Sequence, residues 1–232
     1  MKKKLIGIIG AMDVEVEGLK AIMTSSKTVG RGGIGFITGE IGLQNVVVAK
    51  SGIGKVYAAI TTQTMINEFS PDLIVNTGVA GTLTGDVGIL DVVVAKRVVQ
   101  HDMDTSPIGD PVGLISGFSD VFMKCDEDAT EKIRAAAVSL GVSAVVGTVA
   151  SGDQFVADSA KKQWIRATFD ADACEMEGGS IGQVCTFRNV PFCVLRTISD
   201  GGNEDANMDY PKFMSLAANQ SVRILRKFIE EL

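Results

Sequence analysis

The chain has 232 residues, of which 46% are hydrophobic and 22% charged, and its formal net charge is −6. This composition is that of a globular protein and excludes intrinsic disorder, because enough apolar surface is present to form a core. The 28 acidic against 22 basic residues, without a basic stripe, argue against a nucleic-acid-binding surface.

The start of the chain has some features of a secretory signal peptide, because the basic cluster Lys2–Lys4 precedes an apolar run. That run is short, however, and Asp13, Glu15 and Glu17 follow it at once without a small-residue cleavage site. We therefore expect no leader. No apolar run approaches the ~18 residues needed to span a bilayer, so we expect a soluble, cytoplasmic protein with no membrane partner.

Cysteine and histidine usage limits the redox and metal chemistry. The four cysteines form no C-x-x-C pair, and we expect three of them to be small buried hydrophobic residues in a reducing compartment. The single histidine, His101, leaves a His/Cys zinc site without sensible ligand spacing. We expect neither a metal nor a cofactor.

Apolar runs rich in β-branched residues alternate with helical periodicity along the whole chain. Strands are predicted at 5–12, 32–41, 45–54, 73–78, 92–99, 143–152 and 191–200, with a short apolar segment at 173–176. Helices are predicted at 13–23, 55–69, 128–139, 159–168, 178–189 and 210–232, the third of them from the capping-box spacing of Asp128 and Glu131.

This alternation predicts an α/β fold, a three-layer α/β/α sandwich around a central mixed sheet, with residues 1–232 forming a single domain. The longest predicted loop is 101–119, and long loops inside compact domains are usually functional or mobile. Ligands bind beyond the carboxyl ends of the strands in such sheets. Glu15, Glu177 and Asp200 follow strand ends and are the candidates for chemistry.

Glu15 lies three residues after the GAM that ends at Met12, in the first turn of the predicted helix. Its ordinary interpretation is an acid that complements the helix dipole, although Asp13 is the better candidate for a simple cap. The segment Glu175-Met176-Glu177 is less ordinary. If the strand continues through it, both carboxylates lie on one side, and a carboxylate can accept two hydroxyl hydrogen bonds from a ribose diol. Two solvated loop acids are the alternative.

Asp200 ends an apolar strand and precedes two glycines. Partial desolvation at such a position favours the protonated carboxyl and equips it to donate a proton, whereas a cap on the next turn is the ordinary interpretation. Arg196, four residues earlier, is placed to hold a carboxylate or an attacking water.

Cleavage of an N-glycosidic bond needs an acid for the leaving base and a carboxylate that activates water on the opposite face, as paired acids do in glycoside hydrolases. Three acids, one of them a diol ligand, match that requirement.

Six motifs in order raise this inventory to a family resemblance: IGIIGAMDVEVE (6–17), SGIGKV (51–56), NTGVAG (76–81), SGDQF (151–155), EMEGG (175–179) and RTISD (196–200). The set resembles the 5′-methylthioadenosine/S-adenosylhomocysteine nucleosidases of the purine nucleoside phosphorylase superfamily. GAM-x-x-E and EME are its most specific pieces. SGIGK alone is not a P-loop, because the G-x-x-x-x-G-K-[ST] spacing is missing.

The resemblance implies that Asp200 protonates adenine at N7, that Glu15 is the base for water and that Arg196 helps hold this water. It implies that Glu177 binds the ribose hydroxyls and that Phe155 stacks on adenine. It also implies a substrate-binding set made up of Met12, Ile53, Val79, Val156, Glu175, Met176, Ser199 and Tyr210, in which Val156 offers backbone hydrogen bonds to the base and Tyr210 flanks the 5′-substituent. The partner it implies is a small nucleoside, with a homodimer in which the 101–119 loop lies near the neighbouring subunit's 5′ pocket.

Two departures from the family pattern stand out. Val79 replaces the usual serine of N-T-G-S-A-G, which removes a hydroxyl near the nucleophile and the ribose. The loop after His101 lacks the family's aromatic-rich segment, so the preference between a methylthio group and a homocysteine tail stays open.

Phosphorylase relatives carry a phosphate-binding arginine where this chain has Asn76, which favours water as the attacking group.

Two alternatives remain beside this interpretation. The first is a sister hydrolase of 6-amino-6-deoxyfutalosine or 5′-deoxyadenosine, with the same base and ribose contacts and a different 5′ pocket. The second is a non-catalytic nucleoside-binding protein, which would need neither Glu15 nor Asp200. A purely structural protein leaves the ordered motifs unexplained.

Overall fold

The computed structural model describes residues 3–201 and 206–232, the stretch 206–212 by its backbone alone. These residues contain ten strands and six helices. The strands are β1 (Leu5–Gly10), β2 (Thr24–Arg31), β3 (Ile34–Ile41), β4 (Gln44–Lys50), β5 (Leu73–Thr82), β6 (Val92–Gln100), β7 (Met123–Lys124), β8 (Ala144–Ser151), β9 (Ala173–Glu175) and β10 (Phe192–Asp200). The helices are α1 (Asp13–Ile22), α2 (Lys55–Phe69), α3 (Glu127–Ser139), α4 (Ser159–Phe169), α5 (Gly178–Arg188) and α6 (Ala206–Glu230).

The described strands form one mixed sheet. β1 pairs in parallel with both β4 and β5, while β2, β3 and β4 form an antiparallel meander at one side. On the other side β5, β10, β6, β8 and β9 pair in succession, and β9 pairs back to β5, so these five strands close into a ring. The predicted α/β fold with a central mixed sheet is therefore confirmed, and one half of the sheet closes on itself.

Helices cover both faces of the sheet. In β1, Ile6 and Ile8 pack into a core cluster shared with α1, α3 and α6. Their neighbour Ile9 points the other way, into a cluster shared with α2 and α5. Successive side chains of a strand alternate between the two faces of the sheet. A strand such as β1, which carries apolar side chains on both faces, therefore lies between two helical layers.

The strand β2 was not predicted, because its sequence TSSKTVGR is polar and almost entirely exposed and carries no apolar alternation. The predicted capping box of α3 is wrong. Asp126 is the N-cap, and its side chain accepts the N–H of Ala129 at 2.8 Å. Asp128 lies in the first turn and pairs with Lys132 on the surface at 2.7 Å.

The loop 101–119 contains one short 3₁₀ turn at Ser106–Ile108 and is otherwise irregular. Its start is tied to α2 by an ion pair between Lys55 Nζ and Asp102 Oδ1, 2.7 Å apart. The four cysteines are all free and buried. Within the described parts of the chain, no helix is both long and apolar enough to cross a membrane.

Candidate active site

The carboxyl ends of β1, β5, β9 and β10 surround a pocket of about 310 Å³, a volume that suits a small molecule. Eleven of the predicted site residues line it: Met12, Glu15, Ile53, Val79, Phe155, Val156, Glu175, Met176, Glu177, Ser199 and Asp200. Arg196 lies behind the wall, and the side chain of Tyr210 falls outside the described residues. The position agrees with the rule that ligands bind beyond strand carboxyl ends.

Glu15 lies in the first turn of α1 and is 2% exposed. Its Oε2 accepts the backbone N–H groups of Ala11 at 2.7 Å and Met12 at 2.9 Å, while Oε1 accepts that of Val79 at 3.1 Å. Burial raises the pKa of Glu15, and the Arg196 guanidinium and these backbone N–H groups oppose the rise. Glu15 therefore caps its helix and also presents a fixed, desolvated carboxylate of the kind a general base needs.

A side chain at residue 78 would destroy this arrangement. A Cβ added to Gly78 would overlap Arg196 Nη1 and Glu15 Oε1. The glycine of NTGVAG therefore lets the β5 backbone pass directly beside the two charged groups.

The two acids of EME occupy different elements. β9 ends at Glu175, and Glu177 is the N-cap of α5, so the strand does not continue through the motif. Both carboxylates are nevertheless buried, which removes the interpretation as two solvated loop acids. Met176 between them is half-buried and lines the pocket.

Glu175 has its hydrogen-bonding capacity filled by the protein. Its two oxygens accept the backbone N–H groups of Glu177 at 3.0 Å and Gly178 at 2.9 Å, together with the Ser151 hydroxyl and the Arg196 guanidinium. A carboxylate with this many donors serves to hold its neighbours in place.

Glu177 is less committed. Its Oε1 accepts the N–H of Gly54 at 2.9 Å, and its Oε2 lies 3.5 Å from Arg196 Nη2. Burial and the nearby Glu175 carboxylate raise the pKa of Glu177 to about 7, against the opposing effect of Arg196. Gly54 adopts φ +100°, a conformation suited to glycine, and so presents its N–H to the Glu177 carboxylate from the β4–α2 connection.

Arg196 connects these groups from beneath the pocket. It is 1% exposed, and its Nη2 donates to Asn76 Oδ1 and to Glu175. Asn76 in turn donates to the carbonyl of Ile9 at 3.0 Å. Arg196 thus holds carboxylates, as the sequence indicated, and Asn76 is committed to the protein.

Asp200 ends β10 and is 3% exposed, with its Oδ1 accepting the Ser199 hydroxyl at 3.2 Å. Its Oδ2 lies 3.8 Å from the ammonium of Lys162, a buried residue of α4 that sequence reasoning missed. The adjacent pair Lys161-Lys162 in a polar helix resembles an ordinary solvated face, so the sequence offered no signal for it.

Apolar side chains shape the rest of the pocket. Val79 and Val156 are buried, whereas Phe155 and Ile53 are 49% and 53% exposed and lie at the mouth. Five lining residues were not predicted, although all of them lie inside or beside the quoted motifs: Ala11, Ala80, Gly81, Gln154 and Cys174. Over the described residues, no group of His, Cys, Asp and Glu is arranged to hold a metal.

Known proteins resemble the chain over its full length. The family model of the phosphorylase superfamily matches residues 5–230. The 5′-methylthioadenosine/S-adenosylhomocysteine nucleosidase of Shewanella loihica is 36% identical over 229 residues, 98% of this chain and 99% of that protein.

Two solved Helicobacter pylori structures are also similar. One is a mutant of the nucleosidase with 5′-methylthioadenosine in its active site, 35% identical with a TM-score of 0.95 over 100% of both chains. The other is the futalosine hydrolase, 37% identical with a TM-score of 0.93 over 99% of this chain and 98% of that one.

Proposed function

The chain belongs to the phosphorylase superfamily, and within it we propose that it is a hydrolase of the N-glycosidic bond of 5′-methylthioadenosine and S-adenosylhomocysteine, releasing adenine and the thioribose. The observation that carries the proposal is that Glu15, Glu177 and Asp200, far apart in sequence, line one pocket of nucleoside-compatible size. Relatives named 5′-methylthioadenosine/S-adenosylhomocysteine nucleosidases, which match 98% of this chain, support it.

The reaction divides among these three acids. Asp200 donates its proton to adenine as the C–N bond breaks, which makes the base a neutral leaving group. Glu15 takes a proton from water, whose oxygen adds to the sugar carbon as positive charge develops there. Glu177 accepts the ribose hydroxyls and fixes the sugar between the other two.

The remaining residues bind or support. We propose that Phe155 stacks on adenine, that the backbone of Val156 hydrogen-bonds the base, and that Met176 packs on the nucleoside, with Met12, Ile53, Val79 and Ser199 completing the walls. Glu175 acts mainly through Arg196 and the backbone of Glu177, since its oxygens are already occupied. Arg196 holds Glu175 and Glu177 in place and supports the orientation of the attacking water. We propose that Tyr210 flanks the 5′-substituent, as the family resemblance implies.

A second candidate is a hydrolase of 6-amino-6-deoxyfutalosine, and the observation that favours it is the similarity to the Helicobacter pylori futalosine hydrolase. The catalytic acids and the contacts with the nucleobase would be the same, and the shape of the 5′ pocket would determine which substrate is preferred. The values of kcat/KM for 5′-methylthioadenosine, S-adenosylhomocysteine and 6-amino-6-deoxyfutalosine distinguish the two candidates. The substrate with the highest value shows which 5′-substituent the pocket accepts best.

We further propose that the chain acts as a single domain and as a homodimer in the cytoplasm, in the salvage of methionine sulfur. The pocket mouth supports a dimer, since Ile53 and Phe155 are exposed there and α2, which begins two residues after Ile53, presents Val56, Tyr57 and Ile60 outward. A neighbouring subunit that covers these side chains would also reach the 5′ end of a bound nucleoside.

The test is adenine release from 5′-methylthioadenosine in phosphate-free buffer containing EDTA. We expect rapid release with free methylthioribose. Asp200→Asn should lower kcat by about 10²–10⁴-fold and leave nucleoside binding largely intact, since proton donation acts mainly on the transition state. Full activity of that variant would remove Asp200 from the acid role. No release from any of the three adenosines, with or without phosphate, would contradict the hydrolase and favour a binding protein.

A further inference from the structure

Lys162 is a buried cation that has no role in the reaction proposed for this site. It lies on α4 and is 3% exposed, whereas its neighbour Lys161 is only partly covered, over the ring of Trp164 at 4.2 Å. Lysine is almost never fully buried unless it is paired, because desolvating an ammonium is costly. The burial of Lys162 therefore points to a specific electrostatic partner.

That partner is Asp200. The Nζ atom of Lys162 donates to the carbonyl of Gly201 at 3.1 Å, which fixes the ammonium at the end of β10. From there it lies 3.8 Å from Asp200 Oδ2, with both side chains 4% exposed. This separation is longer than a direct hydrogen bond, so the two groups interact through their charges in a desolvated setting.

Among the described residues, another titratable group that senses this pair is the Cys174 thiol on β9. Burial raises its pKa to about 12, with Asp200 and Glu175 adding to the rise and Lys162 opposing it. The thiol therefore senses both charges, but it ionises too far above neutral pH to be confused with Asp200. From β10 itself, the uncharged Ser199 hydroxyl donates to Asp200.

We propose that Lys162 is a positioning residue that holds a positive charge against Asp200 and so stabilises the carboxylate formed when Asp200 gives its proton to the leaving adenine. This rests on the proposed function. In that step the O–H bond of Asp200 and the C–N bond of the nucleoside break, an N–H bond forms on adenine, and the C–N electron pair stays with the base. Burial favours the protonated carboxyl, whereas an adjacent cation favours the ionised one. The charge of Lys162 therefore opposes the effect of burial on the Asp200 carboxyl.

The test compares pH profiles of kcat/KM for adenine release by the wild type, Lys162→Met and Lys162→Arg. Loss of the charge should move the alkaline limb, where Asp200 loses its proton, to higher pH by about one unit or more, and should lower the maximum about tenfold or more. Lys162→Arg should keep the wild-type limb, because the charge is retained. Lys161→Met is the matched control and should leave the limb unchanged.

A Lys162→Met profile that keeps the wild-type limb, with the same loss of rate at every pH, would overturn the proposal. A wild type that releases no adenine would instead contradict the proposed function. The charge pair is measured independently of turnover by a double-mutant cycle in urea between Lys162→Met and Asp200→Asn, at a pH above the alkaline limb, where Asp200 is ionised, with Lys162→Gln in place of the methionine variant if that one does not fold. We expect the substitution at 162 to shift the midpoint less in the Asp200→Asn background, and additive shifts would contradict the pairing.

Discussion

At the scale of single residues, the site is organised by one guanidinium. Arg196 connects β5, through Asn76, with the two acids of EME at the end of β9 and the start of α5. The buried guanidinium is stable only while its partners stay in place, so Arg196 and the residues that it contacts depend on one another. Substitutions among them are therefore expected to be non-additive, as is usual within one network.

The first prediction concerns the acid limb of activity. Glu15 must be ionised to accept a proton from water, and burial raises its pKa above the ordinary 4.5. At saturating substrate, turnover is therefore lost as the pH falls through that raised value, so the acid limb of kcat lies above pH 4.5. Glu15→Gln should remove this limb and lower kcat by about 10²–10⁴-fold. An unchanged limb in a well-folded Gln variant would require a different base.

The second prediction concerns affinity. In the unliganded protein the pKa of Glu177 is about 7, since burial and Glu175 disfavour its charged form. If the ionised carboxylate binds the ribose hydroxyls, the affinity for a non-hydrolysable adenosine analogue falls toward tenfold per pH unit below about 7.

Calorimetric titration of the analogue between pH 5.5 and 8 measures this dependence. Glu177→Gln is the control and should bind weakly with a flatter profile, because the titrating group is gone. A wild-type affinity that does not change over this range would show that ligand binding does not depend on ionised Glu177.

The sequence predicted much of the site and missed its electrostatic support. Glu15, Glu177 and Asp200 could be placed from their positions after strands and from ordered motifs. Lys162 could not, because a second lysine in a polar helix is typical of a solvated surface, and its burial depends on where α4 docks. Glu175 was in the predicted binding set, but its supporting role could not be predicted, because two of its donors come from β8 and β10.

At the scale of elements, apolar periodicity predicts helices and core strands well. The helix α2 has the predicted bounds, Lys55–Phe69, because apolar spacing and a following proline mark it. β2 escaped prediction, since its stability comes from backbone pairing with β3 and not from buried side chains. The cap of α3 was misplaced because aspartates at 126 and 128 both fit a helix start and differ only in backbone geometry.

The third prediction tests that cap. Asp126→Ala should lower the free energy of unfolding by about 1 kcal/mol, because the N–H of Ala129 loses its acceptor. Asp128→Ala is the matched control and should cost much less, since it breaks an exposed pair with Lys132. Urea unfolding of both variants measures the difference, and equal costs would contradict the assignment of Asp126 as the cap.

At the scale of the whole molecule, exposed apolar side chains on α2 lie next to the pocket mouth. Val56, Tyr57 and Ile60, which we call the α2 patch, are each at least half exposed. Burying such side chains is the principal driving force of protein association. The proposed homodimer therefore has an apolar surface on which to form.

The fourth prediction uses this patch. Ile60→Glu should convert the proposed dimer to a monomer at micromolar concentration and raise KM, because a charge would be desolvated at the contact. Leu43 lies in the turn between β3 and β4 and is 84% exposed, so Leu43→Glu places the same charge outside the patch and should leave the dimer intact. Light scattering distinguishes the two, and a wild-type monomer or a dimeric Ile60→Glu variant would contradict this interface.

The ring of strands beside the pocket has a consequence for how the molecule behaves when concentrated. Open sheet edges are templates on which chains stack into fibrils. Because five strands close on one another, the described sheet keeps one long free edge, β2, at the side away from the ring. That edge carries Lys27 and Arg31 and has a register irregularity between Thr24 and Lys27. Charges and bulges discourage edge-to-edge growth, so concentrated solutions are expected to resist conversion to cross-β aggregates.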